Sequence, residues 1–96
     1  MYGLIGQLFA LPGRRDDLAA ILLSGSAGMP GCRSYVVALD AQDADALWIT
    51  EVWDSADAHR ASLQLPAVRD AIGRGKPLIA RMGAYTATRP VGGTGT

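Results

Sequence analysis

Cysteine and histidine occur once each, as Cys32 and His59, and asparagine does not occur at all. A lone cysteine excludes an internal disulfide. With no CxxC pair and no Cys/His cluster, the chain carries no metal-ligand pattern. Charge of one sign is not in excess, because 9 basic residues offset 9 acidic ones. That leaves no electrostatic footprint for nucleic acid or an anionic membrane. No apolar run approaches the length of a membrane span, and the opening MYGLIGQLFALPGRRDD has no basic stretch ahead of its apolar residues. Neither a signal peptide nor a membrane helix is expected, and the protein is read as cytoplasmic. The closing GGTGT lacks the lysine and following helix of a phosphate loop, and there is no GxSxG or paired-histidine motif.

What is present is apolar: 49% of the 96 residues are hydrophobic, the composition of a folded domain rather than a disordered one. A chain of this length buries only roughly two-thirds of its unfolded surface. A deep pocket uses up much of such a core, and a second copy can supply the missing burial, so a homodimer is expected.

YGLIGQLFAL, from Tyr2 to Leu11, reads as a buried strand closed by PG. In GRRDDLAAILLSGSAG, Leu18, Ile21, Leu22 and Gly25 fall at i, i+3, i+4 and i+7, one face of a helix. Asp16 and Asp17 lie in its first turn, where the macrodipole favours carboxylates. CRSYVVALD (Cys32 to Asp40) and ALWITEVW (Ala46 to Trp53) are rich in β-branched and aromatic residues and are joined by the polar AQDAD, the pattern of an antiparallel hairpin. DSADAHRASLQ predicts a helix capped by Asp54 or Ser55, with an apolar stripe of Ala58, Ala61, Ser62 and Leu65. PAVRDAIGRG predicts a further short helix with Pro66 in its first turn. A last strand runs around Ile79 to Thr88, and residues 90–96 read as a flexible tail after a single domain of residues 1–89. The order β-α-β-β-α-β, with its second helix broken in two, is the ferredoxin-like arrangement: an α+β fold with a four-stranded antiparallel sheet. Helices cover one sheet face, and the other, partly apolar, is left for an interface.

Glu51 and Trp53 share a strand face with Ile49. A carboxylate among apolar neighbours must be paired, hydrogen-bonded or neutral. Two readings of Glu51 stand: a base or hydroxyl-binding group, and a surface or interface glutamate held by an arginine or a backbone donor. Trp53 is either a pocket wall or core. Tyr35 and Tyr85 share that ambiguity. His59 falls about 100° from Ala58 around the helix, on the flank of the stripe, while Ser62 is nearer its centre. Ser62 and His59 are also i and i+3 on one helix, a weak echo of a nucleophile and its base. Cys32 reads as a buried inert thiol, since Arg33 points to the opposite face.

FALPGRRDDLAAIL, MPGCRSYVV, LWITEVWDSADAHRASLQLPAV and the closing RPVGG together resemble the antibiotic biosynthesis monooxygenase superfamily, and more narrowly its quinol monooxygenase branch. The likeness covers residues 2 to 93, and its specific part is E-x-W-x-S followed by P-x-V. It implies a dimeric α+β barrel with a pocket between each sheet and its own helices. It also implies oxygenation of a quinol or polyphenolic aromatic by O2 with no metal or flavin. In that chemistry a deprotonated phenol gives an electron to O2, and the resulting pair recombines at carbon. The protein desolvates, orients and stabilises the anion. Many relatives carry a helical histidine at the position of Ser62, whereas here His59 lies one turn earlier. The haem-degrading branch pairs a first-strand asparagine with a helical histidine. This chain has Gly6 and Gln7 there, which ranks haem degradation last. The candidate catalytic residues are therefore Glu51 and His59, and the candidate substrate contacts are Trp53, Ser62, Tyr35 and Gln7, with no metal and no cofactor. The alternative is a non-catalytic ligand-binding or stress-response dimeric barrel.

Overall fold

The apolar first segment forms strand β1, Tyr2–Ala10, in a computed structural model that describes residues 1–96. The chain continues through α1 (Arg15–Gly25), β2 (Cys32–Leu39), β3 (Ala46–Trp53), α2 (Ala56–Ser62), α3 (Pro66–Gly75), a 3-10 turn at Lys76–Leu78 and β4 (Ile79–Thr88). The strands make one four-stranded sheet in the order β2-β3-β1-β4, with every neighbouring pair antiparallel. This is the α+β, ferredoxin-like arrangement that the sequence predicts, broken second helix included.

Register assigns the faces. Leu4 lies opposite Glu51, Leu8 opposite Leu47, and Tyr35 opposite Glu51. Side chains alternate along a strand, so these residues and Trp53 share one face. Helix α1 packs on it through Leu18, which joins Leu8, Ala10, Leu47 and Leu78 in the core cluster. Leu18 and Leu47 are fully buried, and each such burial is worth roughly 1.5–3 kcal/mol. The stripe expected on α1 is observed: Leu18 and Gly25 are buried, Ile21 and Leu22 half-buried. Gly25 is needed there, because a Cβ at that position would stand 2.5 Å from the Cβ of Ala71 on α3.

Helix α2 differs from its expected pattern. Ser55 caps it, accepting the Ala58 N–H at 3.1 Å, but the helix ends at Ser62 after 7 residues. Leu65 is therefore outside it, as the N-cap of α3, and Ala61 is exposed. The inward face keeps Ser62 and the half-buried Ala58 of the expected stripe and adds His59. Gly31 helps set this orientation: its φ is +79°, and a Cβ there would come within 2.7 Å of the Ala58 Cβ. The loop entering β2 passes beneath α2 only as glycine.

At the other end of the sheet, Asp40 organises the β2–β3 loop. Its Oδ1 accepts the backbone N–H groups of Gln42 and Asp43, both at 2.9 Å, and its Oδ2 accepts the Trp48 indole N–H at 2.8 Å. Arg15 ties α1 to this loop by donating to the carbonyls of Asp43 at 2.9 Å and Asp40 at 3.3 Å. No helix is long and apolar enough to cross a membrane.

Candidate active site

Residues Glu51 and Trp53 are two apart on β3, on the face beneath the helices. There the Trp53 indole N–H donates to Glu51 Oε1 at 2.9 Å. This bond satisfies the buried indole, only 1% exposed, and fixes one carboxylate oxygen of Glu51. His59 comes down from α2 onto the same spot. Its ring meets Trp53 edge-on with centroids 5.4 Å apart, and Tyr2 lies on its other side at 5.9 Å. His59 Nε2 is then 4.0 Å from Glu51 Oε1, with both side chains about four-fifths buried. Two polar atoms at that separation do not bond each other. Each can lie about 2.8 Å from a hydroxyl set between them.

Tyr35 stands directly across the β2–β3 ladder from Glu51. Burial, then the charge of Glu51 and the nearby Cys32, push its phenol up to about 12. It is a neutral O–H donor at ordinary pH, never a base. The Cys32 thiol is pushed up as well, by burial first and by Glu51 second, and it donates to the Ser34 carbonyl at 3.6 Å. Such a thiol is a poor nucleophile. Arg33 points away and pairs with Asp54 at 2.6 Å.

A cavity of about 130 Å³ lies between β2–β3 and the helices. Glu51, Trp53, His59, Ser62 and Tyr35 all face it. Gln7 does not: it lies on the opposite sheet face, beside Phe9 and Gly83. The remaining wall was not singled out from the sequence. It comes mainly from the end of α1 (Leu22, Gly25), from Met29, and from Val68, Ala71 and Ile72 on α3, with Ser26 and Leu63 beside them. The spacing of α3 marks those three as a face, but nothing in the sequence shows that the face borders a space rather than core. Ser62 is committed elsewhere, its hydroxyl donating to the His59 carbonyl at 2.6 Å, so it is not a nucleophile activated by the imidazole. No three histidine, cysteine or acidic side chains converge as metal ligands.

The sequence that builds this ferredoxin-like sheet and its helix-side cavity matches a known family. Residues 1–74 match the model of the antibiotic biosynthesis monooxygenase family. The chain belongs to that family. The match takes in every residue of the cavity. A protein of Chloroflexus aurantiacus J-10-fl, provisionally named an antibiotic biosynthesis monooxygenase, has a crystal structure 61% identical in sequence. The overlap covers 96% of this chain and 94% of that one, with a TM-score of 0.94. A provisionally named member from Deinococcus radiodurans is 28% identical over 97% of this chain and 95% of its own, with a TM-score of 0.79. At 12% identity, a further one from Nitrosomonas europaea shares the fold, with a TM-score of 0.85 over 95% of this chain and 99% of that one. No protein with a curated description matches the chain. Within this antibiotic biosynthesis monooxygenase fold, His59 and Ser62 share the inward face of α2. An imidazole one turn before position 62 therefore still reaches the cavity.

Proposed function

We propose that this protein is a cofactor-independent monooxygenase that oxidises a quinol or polyphenolic aromatic with O2. The observation that carries the reading is the meeting of Glu51, His59 and Tyr35 in a largely apolar cavity walled by Trp53. For a hydroquinone the balance is hydroquinone plus O2 giving hydroxyquinone plus water. The substrate supplies all the electrons, one oxygen atom enters the ring, and the other leaves as water. The substrate hydroxyl sits between Glu51 and His59, one of which takes its proton. Tyr35 donates to the phenolate oxygen, and Trp53 holds the ring against the sheet. The apolar walls keep water from the electron-rich anion while O2 reacts. A second copy of the chain completes the molecule in this reading. It covers the sheet face opposite the cavity, where Val36 is 52% exposed and Ile5, Phe9 and Val52 are half-buried.

The test is oxygen consumption by metal-free purified protein on hydroquinone, with the hydroxyquinone product identified by mass. Turnover above autoxidation that falls in both Glu51→Gln and His59→Ala supports the reading. Turnover that neither substitution changes removes these two residues from it. Tight ligand binding with no oxygen uptake favours the second reading, a binding protein, to which Ser62 in place of the relatives' histidine also points.

A further inference from the structure

We infer that the ligand of this cavity is a single-ring hydroquinone carrying an apolar chain, the ring enclosed against Trp53 and the chain leaving across Leu63 and Ile72. The inference rests on the reading above and narrows its substrate class. The first argument is size. A cavity of about 130 Å³ is close to the roughly 150 Å³ that takes a benzene molecule in an apolar core. One ring fills it, and the other rings of a fused tricycle are left outside unless a helix is displaced. The close Gly25–Ala71 approach opposes such a displacement.

The second argument is the gradient of exposure along the wall. The floor is Trp53, Ser62 and Ala71, which are 1%, 4% and 5% exposed. Leu63, just after α2, and Ile72 on α3 are 40% and 43% exposed and line the same cavity, so they form its mouth. A ring substituent leaving there meets aliphatic surface on both sides.

A polar arm has one other route, the shallow recess that adjoins the cavity at Ser26, Met29 and Tyr35. Its one charged side chain and two of its polar ones are already engaged. Arg33 is neutralised by Asp54, the Ser26 hydroxyl donates to the Leu23 carbonyl, and the Cys32 thiol to the Ser34 carbonyl. That recess has no free charge to offer an anionic arm, whereas the mouth offers apolar area.

Calorimetric titration under argon, which prevents oxidation, tests this on the unaltered protein. The ligands are hydroquinone, n-pentylhydroquinone, 2,5-dihydroxybenzoate and anthrahydroquinone. Expected are binding of hydroquinone, binding of the pentyl compound about tenfold tighter, no gain for the acid, and no binding of the tricycle. In Leu63→Ser and Ile72→Ser, checked for fold by circular dichroism, the pentyl-to-parent ratio should fall toward one. Equal affinity with and without the chain, a tighter acid, or a tricycle bound as well as hydroquinone would each overturn the inference and leave the oxygenase reading standing. Failure of all four ligands to bind would overturn both.

Discussion

Glu51 is the residue on which the rest of the cavity turns, since Trp53 donates to it, His59 approaches it and Tyr35 feels its charge. Glu51→Gln keeps the acceptor for the indole while removing the charge. It is expected to leave thermal unfolding nearly unchanged and to lower turnover by about 10²–10⁴, the range for general acid–base groups. Tyr35 supplies a pH test. Its folded pKa is raised from 10.0 to about 12. The stability it contributes is fully present below pH 10 and is lost as pH rises toward 12. Urea unfolding across that window should show the wild type losing stability relative to Tyr35→Phe. A constant difference between the two would count against the burial of the phenol. At this scale the sequence was informative where a period of two applies. Alternation along β3 alone put Glu51 and Trp53 on one face. It could not orient His59, because α2 has only 7 residues. Two turns define no face, and contacts from Gly31 and the Ser55 cap decide it.

Among the elements, α1 and α3 meet at close range at Gly25. Gly25→Val places a branched side chain against Ala71 and is expected to cost about 1–3 kcal/mol by overpacking, read as a lower midpoint in urea. The i+7 position of Gly25 on the α1 stripe was visible in the sequence. The helix it meets there was not, since that pairing is a tertiary fact. The β2–β3 loop shows a similar division. AQDAD reads as a polar loop, but the three donors that Asp40 gathers are seen only once the loop folds. Backbone N–H groups of Asp43 and Gln42, then the Trp48 indole, hold that carboxyl down at about 2 from an ordinary 3.8. Asp40 therefore stabilises the fold fully above pH 3.8, and this contribution disappears as pH falls to about 2. Acid unfolding of Asp40→Asn should lack that component.

For the whole molecule, the sheet order β2-β3-β1-β4 follows from a hairpin and two helical crossovers, so the topology was legible from element order. Beyond its reach was the irregular β1–β4 pairing, where the register shifts between Gly6 and Leu8 and again between Phe9 and Ala10. Bulges leave no mark in an apolar pattern. If two copies pack through the face opposite the cavity, Val36→Lys on the exposed edge strand introduces like charges across a twofold interface. Sedimentation equilibrium should give a dimer for the wild type and a shift toward monomer for the variant, and a wild-type monomer at every concentration would exclude the dimer. The two faces of this sheet also differ in colour, so to speak. Trp53 points into the cavity with its N–H on Glu51, and Trp48 lies on the opposite face with its N–H on Asp40. The emission of one indole should follow ligand entry, and that of the other should follow dilution. Trp48→Phe and Trp53→Phe would separate the two signals, so that catalysis and assembly could be watched independently in one cuvette, without a dye.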